Sequence, residues 1–254
     1  SSDGGLTGLN TVDLASSAAS TSGSKATAKS DAGTLQGAEL GATDIGGVGS
    51  VAGETSLTSG AASSNVSGQA ISLSQLTTAE GLQQTGELDV KSDASVQGLA
   101  NVSSSADAAT TAGAATANAL STTINGADLA AGNLDIGGIG SIAGQANFGL
   151  SATSSNVSDT STATADSESA TGLIGKGTFS SGFGIDVASA SGLSGMAIGS
   201  LAADASSTAG AATATAGAAD SAIGAVLPSL NVGGISDLTG AAQLDSSATA
   251  SNVG

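Results

Sequence analysis

Cysteine, histidine, tryptophan, tyrosine and arginine are all missing from this chain, and each absence removes a kind of chemistry. Without Cys and His there are no disulfides, thiol nucleophiles, imidazole bases or soft metal ligands. Without Arg there is no planar clamp for carboxylate or phosphate. The only cations are Lys25, Lys29, Lys91 and Lys176, against 21 carboxylates, for a formal charge of −17. A basic surface that neutralises phosphates and a set of aromatic platforms that stack bases are both lacking, so nucleic acid is excluded as a partner. The aromatics are Phe148, Phe179 and Phe183, and Pro228 is the single proline. No run of about 20 apolar residues exists, so no membrane span is expected. The first residue is Ser1, with no basic stretch leading into an apolar run; the expectation is a mature extracellular or cell-surface protein whose targeting peptide has been removed.

What remains is mostly Ala, Gly, Ser and Thr, with few large aliphatic residues. A conventional core of large side chains is ruled out. Stability has to come from dense backbone pairing and thin layers of small residues.

The chain repeats internally. Apolar residues spaced by three recur as Leu6/Leu9/Val12, Ile45/Val48/Val51, Val96/Leu99/Val102, Ile136/Ile139/Ile142, Leu193/Met196 with Ile198, and Val232/Ile235/Leu238. Their starts lie 39, 51, 40, 57 and 39 residues apart. This alternation points to a unit of about 90 to 97 residues, present in about 2.5 to 3 copies with approximate bounds 1–90, 91–187 and 188–254. GVGSVAG at 47–53 with SSNVS at 63–67 returns as GIGSIAG at 138–144 with SSNVS at 154–158, and more loosely near the end of the chain. DAATTAGAATA at 107–117 returns as DASSTAGAATA at 204–214.

Alternating large and small residues in segments such as 70–76, 86–91 and 146–157 have the period of a half-buried strand. The Ala-rich segments 112–120 and 209–219 are interrupted by Gly and Thr, which favours extended structure there as well. The spacing-of-three clusters do not suit a strand and predict short helical turns or tight corners. The expected fold is therefore mainly β: one elongated internal-repeat domain over 1–254, a sandwich or a solenoid-like stack, with short helical turns.

No catalytic, cofactor-binding or metal site is expected, and the chain is not expected to be an enzyme. The glycines of 47–53 and 138–144 loosely match a dinucleotide loop, but a third copy loses the second Gly and no strand–helix context is implied. Ser24/Lys25 and Ser92/Lys91 pair a hydroxyl with an amine, yet neighbours on a strand point to opposite faces. Asp44, Asp135, Asp186 and Asp245 offer weak divalent-cation contacts at most. Three sequons make Asn65, Asn101 and Asn156 candidate glycan acceptors.

The functional expectation is a structural subunit of an extracellular prokaryotic filament or matrix fibre, a homopolymer assembling head-to-tail by strand complementation. Candidate assembly contacts are Leu6, Leu9, Val12 and Leu14 in the first cluster, and Val232, Ile235, Leu238, Leu244 and Val253 in the last. The alternative is a surface adhesin stalk or an ice-binding repeat protein, which would present regular Thr-X-Thr ranks; Thr160, Thr162 and Thr164 approach that pattern.

Overall fold

The computed structural model describes residues 4–46, 49–91, 93–129, 134–136, 140–175, 185–187, 191–218, 222–227, 230–232 and 236–253. Among these, every regular element is a strand and none is a helix. The strands build three parallel sheets. The first contains β1 (Gly4–Ser20), β4 (Gly49–Asn65), β7 (Ala94–Thr110), β10 (Gly140–Asn156), β13 (Ser191–Ser207) and β17 (Ser236–Asn252), in that order. The second contains β2 (Ala26–Leu40), β5 (Ala70–Gln84), β8 (Ala115–Leu129), β11 (Ser161–Gly175) and β14 (Ala212–Ala218), with β15 (Ala222–Val226) also pairing to β11. The third is short: β3 (Thr43–Ile45), β6 (Leu88–Val90), β9 (Leu134–Ile136), β12 (Ile185–Val187) and β16 (Leu230–Val232).

Each strand pairs with its counterpart one circuit later, so the chain winds as a β-solenoid of flattened cross-section. The in-register partners Gly4↔Gly49, Gly49↔Ala94, Ala94↔Gly140, Ser141↔Gly192 and Ser191↔Ser236 set a coil of 45, 45, 46, 51 and 45 residues. The structural repeat is thus one coil, half the unit inferred from the sequence. The alternating intervals arise because the apolar clusters sample two different columns. Ile45, Ile136 and Val232 share a column of the short sheet, through Val90 and Val187. Leu6, Val96 and Leu193 share a column of the first sheet, six residues further along each coil. The longest coil has its extra residues between β11 and β12.

Among the described residues the predicted helical turns are not there. Leu6, Leu9 and Val12 lie in β1, and Val96, Leu99 and Val102 in β7. Because positions three apart on a strand face opposite sides, their spacing reflects two rows of the sheet and not one stripe. Ile235, Val48 and Ile139 lie outside the described residues. Of the Ala-rich segments, 115–120 lies in β8 and 212–218 forms β14, as the composition implied, while 112–114 and 209–211 belong to the turns before them.

The interior is divided in two by glycine. In the first sheet Gly8, Gly53, Gly98, Gly144, Gly195 and Gly240 occupy one row. Facing them in the second sheet are Gly37, Gly81, Gly126, Gly172 and Gly224. A Cβ built on Gly98 would overlap the carbonyl of Gly126, and one built on Gly126 would overlap the backbone of Gln145. The same collision recurs at Gly53 with Gly81, Gly144 with Gly172 and Gly195 with Gly224. The two sheets touch backbone to backbone along this waist, which only residues without a side chain permit.

On one side of the waist the two long sheets enclose a thin layer of Ala with Leu57, Val102, Ile124, Phe148, Leu150 and Leu201. On the other side the sheets diverge toward the short third sheet, and the wider space is filled by larger aliphatics including Leu82, Leu88, Val96, Leu129, Ile142 and Leu173. Volume is balanced between rungs: the Phe148 ring occupies the space above its partner Gly199.

Several polar groups within the thin compartment are paired, while the hydroxyls of Ser16, Ser121 and Ser167 are buried without a partner among the described residues. Ser30, Ser59, Ser74 and Ser104 form a chain of hydroxyl contacts at 2.7–2.9 Å that crosses between the sheets. Ser161 donates to Ser154 at 2.8 Å, and Ser154 donates to the Ala115 carbonyl at 2.9 Å.

Gly98→Ala is expected to lower stability by more than about 2 kcal/mol, because relief of the clash requires separating two sheets. Gly33→Ala, at a position with nothing within 4 Å of the new carbon, is expected to be neutral or stabilising by up to about 1 kcal/mol. Urea denaturation followed by circular dichroism distinguishes the two.

Candidate assembly surfaces and turn sites

β1 and β17 are the outermost strands of the described stack, and each pairs on one side only within it. The residues expected to act in assembly take different places in the stack. Leu6, Val12 and Leu14 belong to inward-facing rows of β1; Val12 and Leu14 are half-buried against the core, while Leu6 is more exposed. Leu9 belongs to an outward row, is 67% exposed, and is therefore not part of the interior ladder. Leu238 and Leu244 occupy inward rows of β17, continuing the columns of Leu193 and Gly199. They are nonetheless exposed, Leu238 by 59%, since β17 is the only strand of its rung among the described residues. Val253 follows β17 and is 73% exposed, with its amide donating to the Ser207 carbonyl at 3.1 Å. Val232 lies in β16.

The waist also shapes the outer surface. Where the first sheet dips toward the second, its outer side carries a groove of about 420 Å³ lined by Leu9, Glu54, Gln97, Leu99 and Gln145 among others. Beside it, Asn147 donates to Asn101 Oδ1 at 2.8 Å across adjacent rungs, and Gln145 donates to Asn147 Oδ1 at 3.0 Å. Asn101 is thus an outward, half-buried member of an amide row.

The other two sequon asparagines have a different task. Asn65 closes β4, where its amide nitrogen donates to the carbonyls of Ser24 and Gln69 and its Oδ1 accepts from the amides of Ser67 (3.2 Å) and Gly68 (3.1 Å). Asn156 repeats this with the carbonyls of Gly113 and Thr160 and the amides of Ser158 (3.0 Å) and Asp159 (3.3 Å). Both are buried at the corner between the long sheets, and each staples its own turn to that of the preceding coil. Thr110 and Ser207 hold the same corner in the intervening coils, donating to the carbonyls of Gly68 and Asp159, both at 2.9 Å. Asn and Thr/Ser corners therefore alternate, and Gly113 takes a left-handed φ of 109° beside Asn156. This alternation is the physical content of the two-coil sequence similarity. A glycan on Asn65 or Asn156 would replace a donor that the turn uses.

The short sheet stacks acidic residues. Asp44, Asp89, Asp135 and Asp186 are successive in-register partners. Lys91 donates to Asp44 Oδ2 at 2.8 Å, and this hydrogen bond together with the Asp44 charge raises the lysine pKa above its ordinary value. Asp245 lies apart, on β17. Among the described residues no three acidic, His or Cys side chains are grouped to hold a metal. The Ser/Lys pairs are not assembled into a site among these residues: Ser24 and Lys25 are exposed in a turn, and Ser92 lies outside the described residues. The glycine phrase at 49–53 runs through β4 and contributes Gly53 to the waist, with no helix following it.

No helix among the described residues is long and apolar enough to cross a membrane. Comparison with protein-family models, with curated proteins and with solved structures finds no match.

Asn156→Ala removes four hydrogen bonds at a buried corner. It is expected to destabilise the fold by about 1–3 kcal/mol, more than Ser158→Ala, whose hydroxyl makes one exposed bond. Chemical denaturation of the two variants checks the order.

Proposed function

We propose that this chain is a structural subunit of an extracellular filament or matrix fibre, in which the solenoid stack is extended axially by a second copy. The observation that carries the reading is that the interior rows remain apolar at the outermost strands, at Leu6 on β1 and at Leu238 and Leu244 on β17. An apolar, hydrogen-bond-competent strand edge is a template for further pairing. A heterologous contact between different faces of identical copies propagates as an open polymer.

Strand complementation then has a defined acceptor. Pairing along β17 continues the first sheet, and the inward face of β17 also takes a donor strand resembling the 15-residue strands of the second sheet, such as β5. Absent His, Cys and Arg chemistry and a −17 exterior that keeps free copies dispersed fit the same role.

Negative-stain electron microscopy with light scattering on the purified protein tests this. Filaments are expected, and a stable monomer at all concentrations would sink the reading. Leu6→Asp and Leu238→Asp each bury a charge at the axial contact and are expected to abolish polymers. Leu9→Asp, on an outward row, is expected to leave them intact.

A second reading, an ice-binding or adhesive face, is favoured by one observation. Thr162 and Thr164 of β11 stand directly beside Thr213 and Thr215 of β14, with Thr116 on the next rung. This is a Thr-X-Thr rank on a parallel sheet, with spacings of ~4.8 Å between strands and ~6.7 Å along them. Inhibition of ice recrystallisation that is lost on Thr162→Lys with Thr213→Lys would favour it over the fibre; no inhibition by the unaltered protein would remove it.

A further inference from the structure

The waist places one row of polar residues in an unusual position. In the second sheet Leu35, Ala79, Ile124 and Ala170 pack into the core. The residues that follow them, Gln36, Glu80, Asn125 and Thr171, therefore face the outer side of the sheet. They are in-register partners on four successive rungs. The next residue on each strand is a waist glycine, and where the sheet dips these outward side chains sink below the surface. Glu80 is only 6% exposed and Asn125 only 4%.

The carboxylate of Glu80 accepts from Gln36 Nε2 at 3.1 Å, and the same nitrogen also donates to Gln83 Oε1. No ammonium stands within ion-pair distance of Glu80 among the described residues, where the ion pairs are Lys29 with Asp31 and Lys91 with Asp44. One rung on, Asn125 Oδ1 is closed off from solvent and receives no hydrogen bond. A buried anion and a buried bare carbonyl oxygen thus occupy adjacent rungs, ~4.8 Å apart. Each is unfavourable alone, and no hydrogen bond joins the two side chains, the Glu80 carboxylate being served by Gln36. A water molecule satisfies the amide oxygen but leaves the charge uncompensated. A cation answers both.

We propose that Glu80 and Asn125 bind a hard divalent cation of the calcium class on the outer side of the second sheet. The Glu80 carboxylate supplies the charge, Asn125 Oδ1 supplies a neutral oxygen ligand, and water fills the remaining positions, a donor set suited to calcium. The site is separate from the aspartate column of the short sheet. It is confined to the two rungs where Glu and Asn meet, since the row continues as Gln36 on one side and Thr171 on the other.

Isothermal titration of the EDTA-treated protein with calcium chloride is the test. One site per chain is expected, with affinity falling roughly tenfold or more in Glu80→Gln, because ligand charge sets calcium affinity, and unchanged in Asp44→Asn. An isotherm that Glu80→Gln leaves unaltered would assign calcium to the acidic exterior and overturn the proposal. Asn125→Asp gives an independent reading should Glu80→Gln fail to fold. With a second carboxylate on the adjacent rung, its melting temperature in EDTA is expected to fall below that of the unaltered protein, and calcium to raise it by a larger increment. A melting temperature insensitive to calcium in Asn125→Asp would equally overturn the site.

Discussion

Backbone-to-backbone contact between the two glycine rows sets how closely the long sheets approach, and the cross-section is organised around it. On the narrow side the enclosed residues are mostly Ala, with a minority of larger side chains such as Leu57 and Phe148; on the wide side Leu, Ile and Val predominate. The waist makes the chain's poverty in large side chains a structural requirement. At the same level the outer face of the first sheet carries a groove, and Glu80 and Asn125 of the second sheet are buried. The Leu9–Gln145 groove and the sunken Glu80–Asn125 row are two external expressions of one internal contact.

Stability in such a molecule is distributed along ladders. The described rungs are held by in-register backbone pairing, over two long strands in each coil from β1 to β12, and a buried Ala adds little individually. The remaining polar atoms have therefore been given positional tasks. Serine hydroxyls tie the sheets across the thin compartment, and the corner asparagines bind each turn to the one beneath it. These groups specify register, which repetitive small-residue strands would otherwise define weakly.

Much of this was legible in the sequence, in uneven measure. Strand character followed from alternation, from Thr and Val, and from the near absence of proline. The coil length was missed because apolar triplets were matched across two columns six residues apart, while the corners alternate between Asn and Thr/Ser and so reinforce a two-coil period. Gly8, Gly53 and Gly98 recur at intervals of 45 and carried the correct period; glycine read as punctuation hid it. Leu9 looked equivalent to Leu6 because sequence spacing alone does not say which face of a strand a residue takes. The Glu80–Asn125 pair was invisible for a different reason: both are ordinary surface types, and their burial comes beside a contact made by glycines on two sheets.

The coil geometry has a mechanical consequence. One coil of about 45 residues advances the stack by only ~4.8 Å, yet the same residues drawn out span on the order of 150 Å. Tension spread evenly over a rung loads all of its ladder bonds in parallel, and the body is stiff along its axis. Tension applied through the polypeptide peels coils off one at a time, each releasing some thirty times its own height. A solenoid of this cross-section behaves as a rigid spacer under distributed load and as an energy-dissipating spool under point load.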